Sequence, residues 1–107
     1  PKIMVSLHVN WSTKTSRRGG IVIYNDQARL LAAHIQKELN SLYHTRREEV
    51  RGKTFYLLNH AEWPAVIVEM GFLSNPRDRE TLTHPKTQEA IAEAISDAID
   101  AYFILYS

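Results

Sequence analysis

The segment "PAVIVEMGFLSNP", residues 64–76, decides the fold because a predicted strand and a predicted helix meet within it. Residues 65–68 are a run of small and β-branched apolar side chains, which is typical of a strand buried in a sheet. Asn75 is a good helix cap, and Pro76 loses no hydrogen bond at the first helical position. Glu69 ends the apolar run, so the sequence carries a carboxylate to the edge of its own core.

Apolar patterns on both sides of this segment predict the remaining elements. Strands are predicted at residues 2–8, 21–24, 54–59 and 65–69. A helix that follows the predicted cap Asn25 has its apolar positions at Ala28, Leu31, Ala32, Ile35, Leu39 and Leu42. A short helix is predicted over residues 76–82, and the last helix carries an apolar stripe at Ile91, Ala94, Ile95, Ala98, Ile99 and Tyr102. This order predicts an α/β fold in which helices flank a mixed, mostly parallel sheet.

The first predicted strand lies within "KIMVSLHV", residues 2–9, which opens the chain almost without a polar lead-in. A strand built of Ile, Met, Val and Leu is usually covered on both faces of its sheet. We therefore expect further strands and helices to precede residue 1. On this interpretation the 107 residues are part of one domain whose N-terminal strands and helices are missing.

The charge of the chain is nearly balanced, with 13 basic and 12 acidic residues and a net charge of +1. A protein that binds nucleic acid electrostatically needs a clustered excess of Lys and Arg. Residues 46–53 hold the candidate patch for nucleic acid, and two glutamates interrupt it, so we expect no nucleic-acid partner. No run approaches the roughly 18 to 20 apolar residues of a membrane helix, so we expect no membrane segment. The absence of cysteine excludes disulfides and thiolate nucleophiles.

Two residues that are able to do chemistry stand at the ends of predicted strands. His8 closes the first strand and Glu69 closes the fourth, and loop-like sequence follows each of them. Open α/β folds place their sites at the carboxyl ends of strands. If these two strands are parallel neighbours, the imidazole and the carboxylate share one crevice. Taken alone, however, such a histidine is more often a hydrogen-bonded structural side chain, and such a glutamate is as often a solvated strand end.

The motif "VSLHVN" at residues 5–10 is followed by "RGKTFYLLNHAEWPAVIVEMGFLSN" at residues 51–75. Together they resemble the second half of the zinc-dependent N-acetylmuramoyl-L-alanine amidases, the amidase-3 family of cell-wall hydrolases. In that family a "SIHAN"-like strand end carries a zinc-binding histidine, and a "PAVLVEXGFLSN"-like motif carries the catalytic glutamate. The resemblance extends over nearly the whole chain, and among relatives the chain is similar to the sporulation and germination amidases.

The resemblance implies roles for four residues of this chain. His8 would be a zinc ligand and Glu69 the general base. Asn10 matches the asparagine after the family's histidine and would shape the substrate cleft without binding metal, and Arg51 matches an "RG" before the third strand and would face the substrate. The implied reaction is hydrolysis of the amide between N-acetylmuramic acid and the first L-alanine of the stem peptide, with zinc polarising the carbonyl and activating a water.

The sequence also departs from the family. Its two other zinc ligands, a histidine in a "GHGG"-like loop and a glutamate on the next helix, have no counterpart in this chain. Catalytic zinc needs three protein ligands and an open position. We therefore predict that residues 1–107 are the C-terminal portion of one amidase domain, inactive without the missing N-terminal half of that domain. The alternative is a non-catalytic amidase-like module that binds peptidoglycan or a partner protein.

The resemblance implies a place of work as well. An amidase of this family acts on peptidoglycan, so peptidoglycan is the expected partner. The expected location is secreted or associated with the cell wall of a bacterium, with the spore cortex or forespore as a special case.

Overall fold

The computed structural model describes residues 2–50, 58 and 60–106 of the chain. These residues form the strands β1 (Met4–Asn10), β2 (Gly20–Tyr24), β3 (Thr45–Glu49) and β4 (Ala65–Phe72). They also form the helices α1 (Arg29–Leu39), α2 (Pro76–Thr83) and α3 (Pro85–Tyr106), and a 3-10 turn at Asp26–Ala28 leads into α1. Of the helices in this part of the chain, none combines the length and apolar character that a membrane crossing requires.

The four strands make one sheet in the order β1-β4-β2-β3. β1 runs parallel to β4, β2 runs parallel to β3, and the central pair of β2 and β4 is antiparallel. The sheet is therefore mixed, with two parallel pairings out of three, and helices flank it. The predicted α/β fold class is confirmed.

One side of the sheet, which we call the helix face, is covered by α1 and α3. Val22, Val66 and Val68 point to this side and are fully buried. They pack in one cluster with side chains from both helices, including Leu31 of α1 and Ile95 of α3. Each such side chain contributes roughly 1.5 to 3 kcal/mol when it is withdrawn from water, so this cluster is the main source of stability.

The other side of the sheet, which we call the opposite face, carries a smaller apolar cluster. Ile23, Ala65 and Ile67 are buried there, and Leu58 packs over them with 1% exposure. Because side chains alternate along a strand, the next residue of β4 on this face after Ile67 is Glu69. The cluster therefore stops where the carboxylate begins.

β1 is only partly covered, although the sequence predicts a strand that is buried on both faces. Leu7 is 51% exposed and Val9 is 45% exposed. β1 lies at the edge of the sheet with β4 as its one partner among the described strands. These two side chains point to the helix face, and α3 leaves about half of their surface uncovered.

The third strand differs from the prediction. The predicted strand at residues 54–59 lies outside the described residues except for Leu58, which is helical and buried. The observed third strand is "TRREE" (Thr45–Glu49), in a stretch that the sequence analysis interpreted as a charged cluster. Its charged residues are exposed or half-buried because β3 is an edge strand, so it lacks the apolar alternation that marks an interior strand. Pairing with the buried strand β2 holds it in the sheet.

Asn25 does not cap a helix as predicted. Its side chain makes no capping hydrogen bond, and it is 4% exposed. Its Nδ2 donates to the carbonyls of Leu58 (3.3 Å) and Trp63 (3.2 Å), and its Oδ1 accepts from the N–H of Ala65 (3.2 Å). A buried amide must satisfy its donors and acceptor, and here those bonds tie the end of β2 to the start of β4.

The predictions for the two C-terminal helices are confirmed. Asn75 caps α2, since its Oδ1 accepts from the N–H groups of Arg77 (3.0 Å) and Asp78 (3.1 Å). In α3 the predicted apolar stripe faces the sheet, and its members Ile91, Ala94, Ile95 and Ala98 are buried. In α1 the predicted stripe is confirmed up to Leu39, where the helix ends, and Leu42 lies beyond it with 42% exposure.

Candidate active site

The parallel pairing of β1 and β4 brings together the two residues that the sequence singled out. In the register of this pair, His8 lies directly opposite Glu69. Adjacent strands lie about 4.8 Å apart, and side chains of directly paired residues project to the same side. The imidazole and the carboxylate therefore stand next to each other on the opposite face, and the predicted juxtaposition is confirmed.

The two side chains differ in exposure and in their neighbours. His8 is exposed, and its Nε2 lies 2.8 Å from the Oγ of Ser6, two residues earlier on the same side of β1. Within the described residues its other ring nitrogen, Nδ1, has no hydrogen-bond partner. Glu69 is half-buried and pairs on its other side with Ile21 of β2. The site thus consists of an exposed imidazole beside a half-buried carboxylate whose neighbours in the sheet are apolar.

A β-bulge follows this pair. The register moves from His8 opposite Glu69 to Asn10 opposite Phe72, so two residues of β4 lie opposite one residue of β1. Bulges re-aim the side chains at the end of a strand. One of the two residues is Gly71, where a Cβ would lie 2.9 Å from Leu82 Cδ1 and 3.0 Å from Asp78 Oδ2, so the position favours glycine.

The two residues predicted to be near the substrate have different outcomes. Asn10 lies two residues beyond His8, where its Oδ1 accepts from the N–H of Trp11 (2.8 Å) and its backbone carbonyl accepts from the N–H of Leu73 (2.9 Å). These bonds fix the end of β1 against the turn after β4, and the role of Asn10 toward the substrate stays a prediction. Arg51 lies outside the described residues.

The loop after β1, residues 11–19, which we call the basic loop, is fastened to the β4–α2 turn. The N–H of Ser12 donates to Ser74 Oγ (2.8 Å), and Asn75 Nδ2 donates to the carbonyl of Thr15 (2.8 Å). The guanidinium of Arg17 stacks 4.9 Å from the centre of the Phe72 ring. The loop therefore forms a fixed rim at the same end of the sheet as His8 and Glu69.

Sequence reasoning missed one residue that organises this rim. The carboxylate of Asp78 accepts from the backbone N–H groups of Gly19 (2.8 Å) and Phe72 (2.9 Å). It thus joins the start of α2, the end of the basic loop and the end of β4. The available signal was an acidic residue in the first turn after a capping Asn-Pro pair, which by itself indicates only a favourable helix start.

The described residues include a candidate for one of the ligands that a catalytic zinc ion would need. Three protein ligands are needed for catalytic zinc, and His8 is chemically able to be one of them. Within residues 2–50, 58 and 60–106, no group of three or more His, Cys, Asp or Glu side chains is placed to hold a metal ion. The described part of the chain therefore does not by itself fit a complete zinc site.

Comparison with known proteins places this geometry in a family. The sequence profile described as N-acetylmuramoyl-L-alanine amidase matches residues 1–101. The germination-specific N-acetylmuramoyl-L-alanine amidase of Bacillus subtilis is 33% identical over 109 residues, which cover 95% of this chain and 45% of the relative.

Two solved structures of amidases are similar to the whole described fold. The CwlD amidase of Clostridioides difficile, solved in complex with the GerS lipoprotein, matches with a TM-score of 0.81 and 28% identity over 96% of this chain and 55% of that one. The amidase AmiC2 of Nostoc punctiforme matches with a TM-score of 0.83 and 27% identity over 94% of this chain and 57% of that one. The chain spans about half the length of the relatives it matches.

The sequence profile covers all four strands and most of α3, and the solved amidases share the arrangement of these elements. The resemblance that the motifs around His8 and Glu69 indicated is thereby confirmed. The chain belongs to the N-acetylmuramoyl-L-alanine amidase family.

Proposed function

We propose that this chain supplies the His8 and Glu69 part of the active site of a peptidoglycan amidase. The reaction is hydrolysis of the amide between N-acetylmuramic acid and the L-alanine of the stem peptide. The observation that carries the proposal is the direct pairing of His8 and Glu69 on one side of a parallel strand pair. Membership of the amidase family supplies the substrate class.

Glu69 is the proposed general base. A carboxylate in this position accepts a proton from the attacking water and passes it to the nitrogen of the departing L-alanine. Ile67 and Ile21 are buried beside it, so the strand backbone and its neighbours hold the carboxylate in place. A positioned acid or base contributes about 100-fold to 10,000-fold to a rate.

His8 is proposed as one ligand of a zinc site that this chain does not complete. The two further ligands come from residues outside residues 1–107, which on this proposal are the C-terminal portion of a single amidase domain. His8 suits this role because it is exposed and its Nδ1 has no hydrogen bond in the described part of the chain. Dialysed samples of the 107-residue chain should accordingly hold much less than one zinc per molecule.

The free side of β1 is the proposed place for the missing part of the domain. Leu7 and Val9 are half exposed, and they line an apolar groove of about 260 Å³ together with Met70, Leu82 and Ile91. An open strand edge next to an apolar groove offers both backbone hydrogen bonds and apolar area to an added strand. Residues bound there would approach the site from the His8 side.

A chimera tests the proposal. The part of the Bacillus subtilis germination-specific amidase that precedes its matched region is fused in front of Pro1, and release of stem peptides from purified peptidoglycan is measured. We expect turnover from the chimera, none from the 107-residue chain, and a loss of 100-fold to 10,000-fold on Glu69→Gln. Full activity of the 107-residue chain would contradict the incomplete site, and an active Glu69→Gln chimera would contradict the general base.

The incomplete ligand set favours one alternative, a non-catalytic amidase-like module that binds peptidoglycan or a partner protein. Cosedimentation with insoluble peptidoglycan and release of stem peptides, both measured on the chimera, distinguish the two. The module should bind peptidoglycan without releasing stem peptides, whereas half of an active site should release them. In either case the proposed location is the cell wall, and the germination-specific relative supports the spore cortex as a special case.

A further inference from the structure

A second cavity lies at the same end of the sheet, around the edge from the His8–Glu69 pair. It has a volume of about 200 Å³ and lies where the basic loop, the start of β3 and α2 meet. Its lining includes Arg18, Tyr43, His44, Arg77, Asp78 and Thr81. The proposed reaction uses none of these residues, so the cavity requires its own explanation.

The cationic groups of this cavity are available to a ligand. Both arginines that line it, Arg18 and Arg77, are exposed, and within the described residues neither has a carboxylate within 4.0 Å. The one acidic residue of the lining, Asp78, already accepts two backbone N–H groups through Oδ2, so its charge is partly compensated. The cavity therefore has a net positive charge, since two guanidinium groups face one carboxylate that is already hydrogen-bonded.

A buried hydroxyl adds a hydrogen-bond donor. Tyr43 Oη is withdrawn from solvent and has no hydrogen-bond partner in the described part of the chain. Burial, with a contribution from the charge of Asp78, raises the pKa of Tyr43 to about 12, so the hydroxyl keeps its proton at neutral pH. Buried polar groups are nearly always paired, so this unpaired donor in a side chain that lines the cavity requires an explanation.

The distribution of charge also favours an anion here. Residues 14–18 contain three basic side chains and no acidic one, whereas α3 carries four acidic side chains and one basic one. The net charge of +1 is therefore unevenly distributed: the basic loop is positive and α3 is negative. Such a separation raises the local concentration of anionic ligands at the basic end.

We propose that this cavity binds a carboxylate of the peptide part of the substrate, with Arg18 and Arg77 as its principal donors. This assignment rests on the proposed amidase function. The guanidinium fork matches the two oxygens of a carboxylate. Gly19, which lines the cavity, lies two residues before Ile21, which pairs with Glu69. The cavity is therefore at the same end of the sheet as Glu69 but on the helix-face side, so a peptide that joins the two passes around the end of the sheet.

Calorimetric titration of the 107-residue chain tests this without turnover. The probe is acetyl-L-alanyl-glutamate, which carries two carboxylates, and the control ligand is its diamide. We expect the diacid to bind and the diamide to bind at least tenfold more weakly. Arg18→Ala and Arg77→Ala should each weaken the diacid at least fivefold, and Tyr43→Phe should weaken it by a smaller factor.

Arg29→Ala is the matched control because Arg29 pairs with Glu49 at the other end of the sheet. It should leave binding unchanged. Because the titration involves no turnover, its outcome does not depend on whether Glu69 is the general base. Equal binding of diacid and diamide, or no effect of Arg18→Ala and Arg77→Ala in folded protein, would overturn the proposal. Inorganic phosphate that binds more tightly than the diacid, and depends on the same arginines, would overturn the assignment to a peptide in favour of a phosphate-bearing polymer.

Discussion

The two edges of the sheet are built in opposite ways. β3 carries two arginines followed by two glutamates, and its sequence "TRREE" has no apolar stripe to cover. β1 presents Leu7 and Val9, which are apolar and half exposed, beside an apolar groove. Charged edges discourage further strand pairing, whereas apolar edges invite it. Among the described strands, the difference supports the proposal that β1, and not β3, is a surface of association.

The largest expected effect tests this contrast directly. Leu7→Lys and Val9→Lys together should lower the activity of the chimera at least 100-fold, because covering an unpaired ammonium group costs several kcal/mol. Arg46→Ala and Arg47→Ala on β3 should change it less than twofold. Release of stem peptides from peptidoglycan is the measurement.

The same lysine substitutions have a second readout in the 107-residue chain. Its free energy of unfolding should hardly change, since both side chains are already half exposed there. A large loss of stability in the chain alone would mean that Leu7 and Val9 belong to its own core. Equal sensitivity of the two edges in the chimera would remove the distinction between them.

A pH titration of stability tests the contribution of Tyr43, the residue that leads toward β3. Tyr43 precedes β3, and its pKa is raised from 10.0 to about 12. The folded state therefore holds this proton more tightly than the unfolded state, and the resulting stability is complete below pH 10 and lost as pH rises through 12. Two pKa units at 1.36 kcal/mol each give about 2 to 3 kcal/mol. Urea unfolding at pH 9 and pH 12 should reveal this loss in the wild type, and Tyr43→Phe should lack that component of it.

The smallest expected effect concerns the surface of β3. Arg46 Nη2 lies 3.2 Å from Glu48 Oε2, and both side chains are 54% exposed. Exposed pairs of this kind contribute about 0 to 1 kcal/mol and are screened by salt. Arg46→Ala should therefore change the free energy of unfolding by less than about 1 kcal/mol, measured by urea titration. A larger change would indicate that β3 depends on its charges for its place in the sheet.

The sequence could predict the elements that carry local signals, but not those that depend on pairing with distant residues. β4, α2 and α3 were predictable because their apolar periodicity and the cap at Asn75 are local signals. The pairing of His8 with Glu69 followed from strand ends and from a family motif. β3 was not predictable, because pairing with β2 alone makes it a strand and its own side chains carry no pattern of burial.

The remaining failures have the same physical origin. Asn25 follows a strand and precedes a helix, which favours a cap, but its amide is used across 40 residues of sequence to hold Ala65. Asp78 likewise acts on Gly19, 59 residues away. Contacts over such separations depend on the assembled sheet and leave no mark in neighbouring residues. The roles of His8 and Glu69 stay predictions that the chimera tests.

The bulge after Glu69 has a consequence for how this fold can change. Strict alternation from Glu69 to Phe72 would turn Phe72 to the side away from Asn10; the bulge absorbs the extra residue of β4 and brings the two strands back into step. The direction of the carboxylate is therefore set by the rows before the bulge, and the path of the following turn by the rows after it. The turn beyond Gly71 can therefore change in length and sequence without changing the direction of the Glu69 side chain.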